Sequence, residues 1–373
     1  MRMQASDLTS LTAQVLLASF VFSFLFGAIA QRTHFCTMGA VSDIVNMGDW
    51  QRMRQWALAA GVAMLGFGAL VYLGKVDASK TLYAGARVLW LSALVGGLLF
   101  GFGMVLASGC GSKTLVRIGA GSLKSVVVFI VMGVAAFATL KGMPAVVRVA
   151  TVDQFAINSV AVSAASMPAI GLFGIKIQLA QLLTAAVLGG GLVIWALASK
   201  EFRSFDNLLA GLSIGGIITA MWWASGSLGF IAEHPETLQE AFVATNSGRA
   251  EALSFVAPVA YVVDWFMFFS DKSKVMTLGI ASVFGVIAGS AVMALITKNF
   301  RWEGFGSTED VGNHLVGAVL MGIGGVTAMG CTVGQGLSGI STLSTMSFIA
   351  VAAIIGGAVL ALKYQMWRME RMV

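Results

Sequence analysis

LVGAVLMGIGGVTAMGCTVGQGLSGI, residues 315–340, is a helix-length apolar run that stops at Gly330-Cys331 and restarts after a segment holding Gly334, Gly336 and Gly339. Its first part occurs once before. LVGGLLFGFGMVLASGC, residues 94–110, aligns with residues 315–331 without a gap, at a constant offset of 221. Ten of the 17 aligned positions are identical, and both copies close on a cysteine, Cys110 and Cys331. A match of that density, ending on a rare residue, marks an internal repeat with a thiol at its break.

Outside the repeat the chain is just as apolar. It is 58% hydrophobic and 11% charged, where soluble domains carry roughly 25% charged residues, and its mean hydropathy is +0.87. Many runs approach the ~20 residues that cross a bilayer. No soluble core buries so much apolar surface, so the reading is an all-α polytopic membrane protein with the lipid bilayer as a partner. The N-terminus, MRMQASDLTS, lacks a compact basic region and a small-residue cleavage site, so the first apolar run is expected to stay as a span. Three cysteines are an odd number, and none sits in a CxxC or other metal-binding spacing. A disulfide framework is therefore not expected, nor is a cofactor or a nucleic-acid partner. The net charge of +6 either orients loops on anionic lipid or attracts anions.

Read in order, the chain predicts about nine spans: Leu11–Gln31, a second ending near Gly74, Val88–Ser108, Ser125–Leu140, Ile177–Ser199, Asn207–Ser225, Val275–Thr297, Asn313–Gly330 and Thr342–Leu362. Ser122 reads as an N-cap, and Ser307 with Asp310 as a capping box. Phe255–Ser270 is apolar but short and contains Asp264, so an interfacial or half-inserted helix is expected there. Four spans, one linker and four more make a single transporter domain over residues 1–373, with repeat one at about 11–141, the linking span at about 177–199 and repeat two at about 207–362. An odd linker turns the second copy upside down, an arrangement that recurs in transporters with discontinuous helices. The C-terminal side carries thirteen of the 23 lysines and arginines and the N-terminal side ten. The positive-inside bias then puts the C-terminus in the cytoplasm and the N-terminus outside.

The chemistry is expected at the breaks. Glycine-rich backbone at membrane depth survives only where it lines a cavity or is buried in protein, and a helix that restarts there offers free N–H groups to an anion. Cys36 lies in a further polar break, RTHFCTMGAVSDIVNMGD at 32–49. Span six has a similar glycine-rich run, GGIITAMWWASGSLG, without a cysteine. A single cysteine in an apolar span is usually a small core residue. Three at breaks, two of them in register, favour a sulfur-lined path. Gly96 and Gly317 read as packing residues, and Gly101, Gly103, Gly322 and Gly324 let neighbouring helices approach. Lys113 and Arg117 read equally as anion-attracting groups or interfacial snorkels. His34 reads as an interfacial polar residue, Asp264 as water-facing and the methionines as packing.

At FCTMGAVSD (35–43), SGCGSKTLVRIGAGS (108–122) and GCTVGQGLSG (330–339) the sequence resembles the YeeE/YedE family of bacterial inner-membrane sulfur transporters. The resemblance implies an hourglass-like helical transporter with pseudo-two-fold repeats, taking up thiosulfate or a related sulfur-containing anion. It also implies three pore cysteines, here Cys36, Cys110 and Cys331. The neighbouring motif residues Gly109, Gly111, Lys113, Gly330, Thr332, Gly334 and Gln335 would belong to the same pathway. Some members work with a TusA-like cytoplasmic sulfur carrier, which would be a separate chain here, and others are associated with selenium compounds. The chain is longer than the compact thiosulfate importers, chiefly through Lys141–Lys176 and Gly226–Lys274. Two competing readings use the same thiols: a Cu(I) route through soft sulfurs, and a membrane sulfurtransferase with a thiolate activated beside Lys113. No charged residue sits squarely inside a span, so a proton relay of membrane carboxylates has no candidate.

Overall fold

The computed structural model describes residues 5–85, 87–158, 176–235 and 237–371. Residues 159–175 of the long Lys141–Lys176 connection thus lie outside the described residues. Thirteen α-helices are described: α1 (Ala5–Thr33), α2 (Thr37–Met47), α3 (Gln51–Tyr72), α4 (Trp90–Leu106), α5 (Gly111–Gly119), α6 (Leu123–Lys141), α7 (Met143–Ala150), α8 (Ile177–Leu197), α9 (Phe205–Trp223), α10 (Ala257–Met267), α11 (Leu278–Ile296), α12 (Thr308–Thr327) and α13 (Thr345–Glu370). Two π-helical turns, Ala224–Leu228 and Gly334–Gly339, follow α9 and precede α13. Two-residue strands pair only as small antiparallel ribbons, β1 (Arg87–Val88) with β2 (Ile157–Asn158) and β3 (Phe230–Ile231) with β4 (Ala241–Phe242).

Eight of the helices, α1, α3, α4, α6, α8, α9, α11 and α13, belong to stretches long and apolar enough to cross a membrane. The ninth expected span is α12, which has the length, 20 residues, but falls short in hydropathy. It opens on Thr308-Glu309-Asp310 and carries Asn313 and His314. Its surroundings explain the tolerance: α12 packs against both α4 and α6, and a helix walled by protein has no lipid to satisfy on those sides. The short apolar piece is α10, 11 residues long, or about 16 Å against a hydrocarbon core of about 30 Å. The chain returns from it to the face it left, since Leu278 N–H donates to Ala244 O at 2.7 Å. It does not cross.

The two copies of the repeat meet at α4 and α12, which run antiparallel. A Cβ on Gly96 would lie 2.7 Å from Gly324 O, and one on Gly103 2.7 Å from Gly317 O. Each contact is the other with the copies exchanged. Gly101 and Gly322 behave alike: the first faces Ala358 N of α13 at 2.9 Å, the second Ala136 N of α6 at 2.9 Å. Swapping α1 with α9, α2 with α10, α3 with α11, α4 with α12 and α6 with α13 maps the helix pairings onto one another. Thus α1–α11 becomes α9–α3, α4–α13 becomes α12–α6, and α6–α10 becomes α13–α2. The linking helix α8 packs on α3. We refer to the N-terminal face, where α1 begins, and the C-terminal face, where α13 ends.

Backbone-to-backbone contact at α4–α12 gives a direct test. The Cβ of Gly317→Ala would meet Gly103 O at 2.6 Å and Ala107 N at 2.7 Å, and backbone on both sides leaves nothing soft to yield. Gly312, in the same helix, faces open space. Gly317→Ala is expected to destabilise the fold by about 1–3 kcal/mol, the usual range for overpacking, while Gly312→Ala is neutral. The melting temperature of detergent-solubilised protein, followed by size-exclusion recovery, checks both.

Candidate functional site

Each cysteine stands where one helix has ended and another begins. In both copies of the repeat the first helix is closed by a Schellman motif. Gly109 N–H donates to Met104 O at 2.8 Å and Ser108 N–H to Val105 O at 3.1 Å. Gly330 N–H donates to Gly325 O at 2.8 Å and Met329 N–H to Val326 O at 3.0 Å. The left-handed residue is not a glycine in either, with φ 55° at Ser108 and 56° at Met329. After α1 the same conformation falls on His34, φ 54°. Each of these residues lies two positions before a cysteine, and each cysteine opens the next helical segment.

The helices restart at once: α5 begins at Gly111, and the second break is helical from Thr332 through the π turn. The cause is the cysteines' own carbonyls: Cys110 O accepts Thr114 N–H at 2.9 Å and Cys331 O accepts Gln335 N–H at 2.7 Å. Cys36 and Cys331 also cap with sulfur. Cys36 Sγ accepts Gly39 N–H at 3.4 Å, and Cys331 Sγ accepts Gly334 N–H at 3.4 Å. Ser307 caps α12 as expected, accepting Asp310 N–H at 3.1 Å, while the Asp310 carboxylate accepts Gly306 N–H. Ser122 stands at the N-cap of α6 but does not cap it; its Oγ pairs with Ser125 Oγ.

The fold brings the three thiols together. Cys110 neighbours both Cys36 and Cys331. All three are free, and their exposures of 9%, 1% and 0% place them off solvent. Cys110 and Ser112 Oγ lie 3.3 Å apart. Thr332 Oγ1, also beside Cys110, is buried and makes no hydrogen bond of proper geometry. Lys113 is half-buried and shares the neighbourhood of Cys36, Cys110, His34 and Arg52. Among the described residues it has no ion-pair or hydrogen-bond partner, whereas Arg52 is paired with Asp43 at 3.3 Å. Lys113 thus stands unpaired in the neighbourhood of the first two thiols.

On the other flank, Gln335 locks the second break. It is fully buried; its Nε2 donates to Ala328 O at 2.5 Å and its Oε1 accepts Ser347 Oγ–H at 2.6 Å. Tyr83 donates to Gly334 O at 2.7 Å and Trp222 Nε1 to Ser341 Oγ at 2.9 Å. The sequence did not point to Tyr83 or Trp222, since nothing local ties them to residues more than a hundred positions away. Glu251 lies near Tyr83, as Cys331 does. Burial pushes its carboxyl above the usual range, against the pull of the Ser247 hydroxyl and the N–H groups of Ser247 and Asn246. Asp264 does not face water as expected: it is buried and paired with Lys274 at 2.6 Å. Gly109 and Gly111 flank Cys110, and Gly111 lies against Phe255.

The sequence that forms this arrangement matches a known family. The sulphur-transport family covers residues 32–360, spanning all three cysteines. The chain belongs to that family. The thiosulfate transporter TsuA of Escherichia coli (strain K12) is 26% identical over 361 residues, 92% of each chain. TsuA of Spirochaeta thermophila is 26% identical over 339 residues, 90% of this chain and 94% of its own. A shorter match, 32% over 110 residues, links 30% of this chain to 26% of the probable transporter YedE of Salmonella typhimurium. As a member of the sulphur-transport family with eight helical stretches long and apolar enough to cross a membrane, the chain is a multi-pass membrane transporter of sulfur compounds.

Proposed function

We propose that the chain takes up thiosulfate, or a closely related sulfur-containing anion, across a bacterial inner membrane, with the C-terminal face in the cytoplasm. The reading rests on one observation above the others: three thiols, each opening a helix after a break, brought together with an unpaired lysine near the first two. The relatives' names as thiosulfate transporters support the substrate.

The chemistry follows from the capping. A thiol is a weak donor and a weak acceptor. At Cys36 and Cys331 the sulfur already accepts a backbone N–H, which draws density from the S–H and leaves that proton to donate to the anion. The helix N-terminus therefore acts on the substrate through sulfur. Soft S–H groups suit the terminal sulfur of thiosulfate, while the unpartnered Thr332 hydroxyl suits one of its oxygens. Weak contacts at successive stations let the ion leave as readily as it binds. Because all three thiols are closed to solvent, passage needs a rearrangement that opens one side and then the other, and the closely packed α4–α12 pair is the natural pivot. A TusA-like carrier in the cytoplasm would take the sulfur at the end of the path.

Growth tests the reading. A strain unable to import or reduce sulfate is expected to grow on thiosulfate as sole sulfur source when it carries this chain. No growth, despite folded protein in the membrane, would refute it.

A further inference from the structure

The two copies agree over more than the quoted stretch. At offsets of 220 to 222, the segment around Cys36 aligns with that around α10: Phe35-Cys36 with Phe255-Val256, Asp43 with Asp264, and Arg52 with Lys274. The side chains bear this out. Asp43 pairs with Arg52 as Asp264 pairs with Lys274. The half-helix α2 packs on α3 and α13, and α10 packs on their counterparts α11 and α6. His34 lies near Lys113, and the aligned Ser254 lies against Gly334, the residue aligned with Lys113. Cys36 faces Cys110, and the Phe255 backbone faces Cys331.

The alignment exposes what the second copy lacks. Where the first has a thiol, Cys36, the second has Val256; where the first has a cation, Lys113, the second has Gly334. Val256 is fully buried and its methyl groups fill the space over Gly325, where a Cβ would come within 2.7 Å of Cγ2. Phe255 is also fully buried, its ring 5.6 Å from that of Phe26. An anion that has reached Cys331 from the C-terminal face, or has yet to reach it from the N-terminal face, meets neither donor nor charge at this position. A buried apolar side chain set at such a position gates by excluding water.

We propose that Val256, backed by Phe255, is the apolar gate of the path on its N-terminal-face side, the counterpart of Cys36 with the sulfur removed. The proposal rests on the thiol path described above. It makes the transporter asymmetric: the anion is held at Cys36, Cys110 and Lys113 and is only passed at Val256, where it sheds water without compensation.

Two substitutions lower the gate in different ways. Val256→Thr keeps the shape and adds a hydroxyl that wets the constriction, and Val256→Ala widens it. Both are expected to raise the initial rate of thiosulfate uptake severalfold per folded transporter, with the folded amount read by size exclusion. Val256→Ile, which narrows it, is expected to lower the rate by a similar factor. If the Thr and Ala variants fold and transport at or below the parent rate, the gate is refuted. Cys110→Ala in the parent chain separates the two ideas. Loss of uptake there with no response at position 256 removes the gate and leaves the path, while unchanged uptake in Cys110→Ala removes the path itself.

Discussion

Replacing Cys110 with alanine is expected to reduce thiosulfate uptake roughly tenfold to a hundredfold, the effect of losing a hydrogen bond to a charged partner, about 1.5–3 kcal/mol. Cys331→Ala should fall in the same range. Cys110 is the strategic one, because it stands between Cys36 and Cys331 and touches Ser112 and the Thr332 neighbourhood as well. The substitution removes one buried sulfur and leaves the backbone capping intact, since Cys110 O, not Sγ, accepts Thr114 N–H. Folded yield should therefore hold while transport falls. Cys110→Ser separates two properties of the thiol. It retains a donor but exchanges soft sulfur for hard, more strongly hydrated oxygen, so its rate should lie between those of the parent and the alanine variant. Initial rates in cells, normalised to folded protein, measure all three. A Cys110→Ala variant transporting like the parent would sink the sulfur-lined path.

The second large effect is expected at Lys113. Removing its charge with Lys113→Met keeps the aliphatic stem against its neighbours and removes the only uncompensated cation described beside the thiols. At an effective dielectric of about 20, one unit charge 8 Å from another contributes about 2 kcal/mol, so the loss is roughly thirtyfold in affinity for a single charge and larger for a dianion. The loss should appear in the half-saturating concentration more than in the maximal rate. Lys113→Arg, which preserves the charge, should recover most of it. Equal kinetics for the Met variant and the parent would reduce Lys113 to a packing residue.

Much of the architecture is written in the sequence because the physics behind it is local. Apolar runs of span length place the eight long helices, and the 94–110 and 315–331 copies place the α4–α12 pair with its reciprocal glycine contacts. The cysteines were legible as break residues because Gly109-Cys110 and Gly330-Cys331 interrupt those runs. What stayed hidden depends on distance. That Ser108, Met329 and His34 take up left-handed backbone has no signature in those residue types. The ties from Tyr83 and Trp222 to the second break, and the ion pair that buries Asp264, join segments remote in sequence or set by the turn between α10 and α11. The wider repeat was expected, but the match of the Cys36 segment to the α10 segment within it was not, for a different reason. Phe35-Cys36 and Phe255-Val256 share one identity and no motif, so only the matched ion pairs and helix partners reveal that they are the same station. α12 was read as a span from its apolar second half although its hydropathy as a whole falls short, because its polar first turn is tolerated between protein neighbours rather than lipid.

The most direct measurement is uptake of radiolabelled thiosulfate into liposomes holding the purified protein, compared with the Cys36→Ala/Cys110→Ala/Cys331→Ala variant and with protein-free vesicles. A thiol-lined path predicts accumulation by the parent protein and a variant indistinguishable from empty vesicles. Transport by the triple variant at the parent rate, with both proteins folded, would contradict it.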